Sequence, residues 1–154
     1  MSVQEARSRD SSADDISEQL LLSSSFMQRT AAVAAIAAKE AVEVDRDARF
    51  PKAAIDAARQ QKLLGAQIPI ALGGSGASIF DITEMCYTLG RACSSTAMIF
   101  AMHQTKVACL VRHGTGSAWH ETLMRRVANE QLLDRKSTRL NSSHQGTSRM
   151  PSSA

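Results

Sequence analysis

Residues 78–114 read SIFDITEMCYTLGRACSSTAMIFAMHQTKVACLVRHG. Ile79, Ile82, Cys86, Leu89 and Cys93 recur at steps of three and four, the spacing of one helical face, behind a Ser78 suited to cap it. Ser94-Ser95 divides this helix from another over 96–113 that ends at Gly114. The second helix is apolar nearly all round (AMIFAM, then VACLV) and is expected to be the buried centre of the fold. Downstream, Ser117 opens a last helix through Trp119, Leu123 and Val127 toward Leu133. Upstream, 66–78 (AQIPIALGGSGAS) is too rich in proline and glycine for a helix and reads as an extended segment and ordered loop. Phe50-Pro51 marks a boundary, with proline at the first position of a helix that turns Ile55 and Ala58 inward and stops at Gly65 as its C-cap. Ser25 and Gln28 have the form of a capping box, and Phe26, Val33, Ala37 and Val44 repeat behind it through Arg46. A short helix from Asp14-Asp15 to Leu22 is expected to be interrupted by Ser23-Ser24-Ser25, with 1–15 polar and disordered. The fold class is therefore an all-α helical bundle with one Gly/Pro-rich ordered loop, over 16–133, and no internal repeat.

Composition agrees. The chain has 154 residues, 44% apolar and 21% charged, the profile of a globular domain, and only six aromatic residues, too few for a β-sandwich. The longest uninterrupted apolar run, 31–38, falls short of the roughly 20 residues of a membrane span. Glu5, Asp10, Asp14 and Asp15 near the start fit neither a signal peptide nor a transit peptide. Cys86, Cys93 and Cys109 are odd in number and lie in helical patterns, which points to reduced thiols and a cytoplasmic protein.

The net charge of +3 invites a nucleic-acid reading, but its placement argues against one. Residues 1–133 hold fourteen basic and fourteen acidic side chains, so the whole excess sits in 134–154, DRKSTRLNSSHQGTSRMPSSA. Back-translated, 134–144 and 148–154 resemble, in one frame, a common short-read sequencing adapter. The tail is therefore set apart as an adapter-derived artefact, expected to be disordered, and the gene product is expected to continue differently after Leu133. Without the tail, nothing points to nucleic acid or to a membrane.

Few residues suggest chemistry. Gly73-Gly74-Ser75-Gly76 matches neither the dinucleotide nor the P-loop pattern, and a turn needing positive φ accounts for it better. Cys109 and His113 stand four apart, half of a metal site without the other half. His103, beside Gln104, Thr105 and Lys106, reads either as a cleft residue or as a buried, hydrogen-bonded histidine. His120 and Glu121 read as a solvated helix face. Neither a nucleophile elbow, nor H-E-x-x-H, nor a spaced carboxylate pair occurs.

The ordered set of Phe50-Pro51, Gln61-Lys-Leu-Leu-Gly, the Ile-Pro-Ile-Ala-Leu-Gly-Gly-Ser-Gly-Ala-Ser loop, ITEMCYTLGRAC, SSTAMIFAMH and Val111-Arg-His-Gly resembles the N-terminal helical domain of the acyl-CoA dehydrogenase family, over roughly 26–133. The resemblance implies the front of a three-part flavoenzyme that binds FAD, takes an acyl-CoA substrate, dehydrogenates the α,β bond of the thioester, hands electrons to an electron-transfer partner and forms a homo-oligomer. It also implies that the catalytic base and most of the FAD site lie outside this chain, so no catalytic residue is assigned, and the chain itself is expected to be inactive and not to retain FAD. Ala97, Ala101, Met102 and His103, with Met98 beside them, are the residues that the resemblance places near the acyl pocket. A flavin-dependent monooxygenase of the same fold and a non-catalytic helical binding module are the alternatives.

Overall fold

The computed structural model describes residues 3–114 and 116–133, with side chains from Leu20 onward. Its elements are α1 (Val3–Arg46), α2 (Lys52–Gln60), a 3-10 turn (Ile70–Leu72), α3 (Ile79–Ala92), α4 (Ser94–Gly114) and α5 (Ala118–Glu130), with no strand among the described residues. The tail 134–154 lies outside the described residues. The bundle is all-α with one ordered loop, as the sequence predicts.

The long helix α1 lies along α3 and α2, and α3 in turn lies along α4. It turns Phe26, Thr30, Val33, Ala37 and Val44 inward, spacings that keep one face against its neighbours. Contrary to expectation, α1 runs unbroken through Ser23-Ser24-Ser25, and 3–15 form its first turns. Serine costs a helix only a few tenths of a kcal/mol when its hydroxyl is satisfied. Here Ser24 Oγ donates back to the Leu21 carbonyl at 2.8 Å and Ser23 Oγ donates to Asp81 Oδ1 at 2.5 Å. Ser25 is thus inside the helix and caps nothing. A second correction concerns hydropathy: Leu20–Arg46 is long and apolar enough to cross a membrane by length and composition, although no uninterrupted run shows it. Core helices of soluble proteins meet that test too, and the inward stripe of α1 is occupied by its neighbours within the bundle.

Pro51 precedes α2 as its N-cap residue, and the helix stops at Gln60 because Lys62 takes the left-handed conformation, φ 54°. Gly65 is therefore not the C-cap. Its lack of a side chain serves a different need: a Cβ there would stand 2.8 Å from the Cα of Ala128 on α5. Ser78 and Asp81 form a reciprocal capping box at the start of α3, in which the Ser78 hydroxyl accepts from the Asp81 N–H and Asp81 Oδ2 accepts from the Ser78 N–H at 2.8 Å. Asp81 faces inward, and at 3.6 residues per turn Ile79 then points about 200° away. The buried stripe is accordingly Ile82, Met85 and Leu89, with Ile79 exposed.

The expectation for α4 also needs correction. It buries Thr96, Phe100, His103, Gln104 and Val107 but leaves Met98 62% and Met102 50% exposed, because no described element covers its outer side. On α5, Met124, Val127 and Ala128 are buried and Trp119 is exposed. The Ser117 side chain caps no backbone N–H and instead meets His120 Nδ1 at 2.8 Å.

Burial pushes the Asp81 carboxyl up, but hydrogen bonds from the Ser23 hydroxyl and from the Ser78 hydroxyl and N–H outweigh it and hold the group below its ordinary value. Its contribution to stability is then fully present above the unfolded-state pKa of about 3.9 and is lost as pH falls through the folded value. The urea midpoint of the wild-type chain should therefore drop more steeply below about pH 4 than that of Asp81→Asn, which should already be the less stable protein at neutral pH. Parallel curves would contradict the assignment.

Candidate functional site

The Gly-rich loop is the segment whose sequence is most suggestive of a ligand. Its ends meet, with the Ala77 N–H donating to the Ala66 carbonyl at 2.8 Å, as in an Ω-loop. Within it, Leu72, Gly73, Gly74 and Gly76 donate to the carbonyls of Pro69, Ile70, Pro69 and Ile68. Gly73 (φ 87°) and Gly76 (φ 65°) supply the positive φ that the sequence predicts, while Gly74 is needed for space: a Cβ there would lie 2.0 Å from the Ile68 carbonyl oxygen. A phosphate cradle needs N–H groups aimed outward at an anion. These are turned onto the loop itself, so it closes its own hydrogen bonds and fixes the start of α3.

The turn 63–67, just before the loop, is held from two sides. From α4, His103 Nε2 donates to the Leu64 carbonyl at 2.9 Å and Gln104 Nε2 donates to the Leu63 carbonyl at 2.8 Å. A carbonyl only accepts, so the hydrogen of the 2.9 Å bond is on Nε2. Gln67 Nε2 answers by donating to the Gln104 carbonyl at 2.9 Å. From the end of α5, Gln131 Oε1 accepts from the Leu64 N–H at 3.0 Å.

The residues singled out from the sequence therefore divide between two sides of α4. Ala97 and Ala101 are half-buried, Ala97 packing at the edge of the main core near Gly90. Ala101 with Met98 and Met102 makes an apolar outer stretch of small and flexible side chains, with Ala97 at its inner edge. His103 is 4% exposed and faces inward, apart from the other three. Of its two readings, the buried, hydrogen-bonded one describes its position. Gln67 and Gln131 carried no signal in the sequence, since a glutamine on a helix end or in a turn is ordinarily a surface residue.

Elsewhere the surface offers less. Cys109 and His113 are both exposed, and among the described residues no three His, Cys, Asp or Glu side chains converge as metal ligands. A shallow groove of about 340 Å³ between α1 and α3 is lined by Ala38, Tyr87, Thr88, Arg91 and Ala92, with the Arg91 guanidinium 6.0 Å from the Tyr87 ring centroid. It holds no acid–base pair. Burial pushes the half-buried Cys86 thiol up, away from a reactive thiolate.

Comparison with known proteins gives a consistent picture. Residues 24–130 match the profile of the acyl-CoA dehydrogenase N-terminal domain. The chain is 33% identical over 96 residues to a cyclohex-1-ene-1-carbonyl-CoA dehydrogenase of Geobacter metallireducens, covering 62% of this chain and 25% of that protein. It is 30% identical over 79 residues to a 3-sulfinopropanoyl-CoA desulfinase of Paraburkholderia xenovorans, 51% of this chain and 20% of the relative. It is 37% identical over 82 residues to a probable FMNH2-dependent monooxygenase of Pseudomonas putida, 53% and 21%. The chain thus spans a quarter or less of the length of these curated relatives. No solved structure matches it.

Removing a buried hydrogen-bond partner costs about 1–3 kcal/mol, whereas an exposed substitution stays within about 0.5 kcal/mol. His103→Leu and Gln104→Leu are therefore expected to lower the denaturation free energy by the first amount and Met102→Ala by no more than the second. Gly74→Ala should yield no folded protein. Equal stability of His103→Leu and Met102→Ala would show that the inner tie to Leu64 carries no weight.

Proposed function

Since the chain belongs to the acyl-CoA dehydrogenase family through its N-terminal domain, we propose that it forms the front of a FAD-dependent enzyme that dehydrogenates the α,β bond of an acyl-CoA thioester. Among the relatives, one is named a dehydrogenase of a CoA thioester and one an FMNH2-dependent monooxygenase, which supports this reading. The single observation that supports a substrate role for this part is the uncovered outer face of α4. Ala97 and Ala101 are small enough to leave room for an acyl chain, and Met98 and Met102 give it apolar, adaptable contacts. In this reading α4 is one wall of the acyl pocket, with His103 behind the wall holding it to the turn 63–67.

The described residues do not by themselves fit FAD. The N–H groups of Gly73, Gly74 and Gly76 are committed to the loop's own carbonyls, and on α4 Met98 and Met102 offer methyl and thioether groups while the Thr105 hydroxyl is turned back onto the Ala101 carbonyl, where a dinucleotide needs donors. In this proposal the flavin contacts and the base that takes the α-proton come from other parts of the parent, and the chain as it stands is inactive and flavin-free. What the domain contributes is exclusion of water from the acyl chain and a fixed wall against which the thioester is oriented. A cytoplasmic homo-oligomer that passes electrons to a partner protein completes the proposal.

The second reading is a flavin-dependent monooxygenase, favoured by the 37% identity to a relative so named. The desulfinase relative carries the same lesson, that one helical domain serves several chemistries.

The test begins by sequencing the source locus across codon 133, then expressing the full reading frame. The parent should be yellow, release FAD on denaturation, and reduce an artificial electron acceptor with acyl-CoA thioesters under anaerobic conditions. The 154-residue chain should release none. Oxygen-dependent turnover of a non-thioester would shift the assignment to the monooxygenase, and a reading frame that ends as written at Ala154 would end the flavoenzyme reading.

A further inference from the structure

Gln131 has an unusual backbone for its residue type. It ends α5 at φ 50°, ψ 50°, in the left-handed region where a glycine is at ease and a side chain is strained. Yet it is 8% exposed, and both ends of its amide are engaged. Oε1 accepts from the Leu64 N–H at 3.0 Å, and Nε2 donates to the Ala128 carbonyl at 2.6 Å. The same Leu64 gives its carbonyl to His103 of α4 at 2.9 Å. One residue's two backbone groups therefore join the inner side of α4 to the point where the chain leaves α5. Gly65, next along, lets the end of α5 press against the turn, since any Cβ would meet the Ala128 Cα at 2.8 Å. After Gln131 the chain is pinned again, with Leu132 on the α4–α5 cluster and Leu133 on the main core.

A cap alone does not need this arrangement, because glycine would end α5 at the same φ without strain. What the glutamine adds at this φ is an amide that ties the exit of α5 to the Leu64 N–H. We propose that Gln131 is a positioning residue: through Leu64 it fixes the direction in which the chain leaves α5 relative to the outer face of α4, and so sets the separation between the acyl wall and the groups that the rest of the protein brings to it. The proposal rests on the acyl-wall reading given above.

Gln131→Gly in the full-length parent removes the amide tie while relieving the backbone, so the fold is not put at risk by strain. Gln131→Glu keeps the acceptor for Leu64 but loses the donor to the Ala128 carbonyl, and so serves as a partial control. Misplacement of a substrate wall by about an ångström costs roughly up to a hundred-fold in rate. Gln131→Gly should therefore lower the melting temperature, because the Leu64 N–H is left unpaired, and at temperatures where the variant is fully folded it should still lose roughly ten- to a hundred-fold in kcat with KM and flavin content near wild type, while Gln131→Glu should recover part of the loss. A pair of spin labels, one on the exposed Cys109 of α4 and one introduced beyond residue 133, reads the geometry without reference to turnover. Its distance distribution should broaden or shift in Gln131→Gly. An unchanged distribution, or a kcat loss that only tracks the loss of folded protein, overturns the positioning role. A wild-type parent that holds no FAD and oxidises no thioester overturns the functional reading instead, while the label distances still decide the role of Gln131.

Discussion

The backbone of Leu64 is the point on which the bundle depends. Its N–H and C=O lie in a turn without regular structure, deep enough that either one left unpaired would cost as much as a typical destabilising mutation. Side chains from two distant elements satisfy them, His103 from α4 and Gln131 from the end of α5. The turn 63–67 is thereby fixed without being a helix or a strand. Because it is fixed, the Ω-loop that follows has a stable base, Ser78 is delivered to the start of α3, and Asp81 can reach Ser23 across to α1.

This distribution of polar groups explains why α4 looks so different from its hydropathy. Its inward side carries Thr96, His103 and Gln104 beside Phe100 and Val107, while Met98 and Met102 face outward. His103 and Gln104 go inward because the turn has carbonyls to be satisfied, and the methionines go outward because no described element meets them. Ile79 and Phe80 are exposed on α3, and Ile70 on the loop, in the same way.

Helix existence was legible from the sequence, and so was the loop. The periodic positions Phe26, Val33, Ala37 and Val44 of α1 are all buried, and Ser78 caps α3 as its position suggests. The serine triplet at 23–25 misled because a hydroxyl's competition with the backbone is settled by its partner, and the partner of Ser23 is 58 residues away. Gly65 misled for a related reason. A glycine before a loop suggests positive φ, but this one answers to the close approach of α5, which no local pattern contains. Of the candidate site, the small residues Ala97 and Ala101 could be singled out through the family resemblance, whereas Gln67 and Gln131 could not, since their burial follows from what packs around them.

The sequence by itself determined the all-α class, the helix order, the ordered loop and the family, because periodicity, capping chemistry and an ordered set of motifs are local properties of the chain. The tertiary structure alone decided which side of α4 is open, that His103 faces the Leu64 carbonyl, that the N–H groups of Gly73, Gly74 and Gly76 turn onto the loop's own carbonyls, and that Gln131 adopts a left-handed backbone. Each of these is a question of which distant group satisfies a buried donor or acceptor, and the answer exists only once the helices are packed.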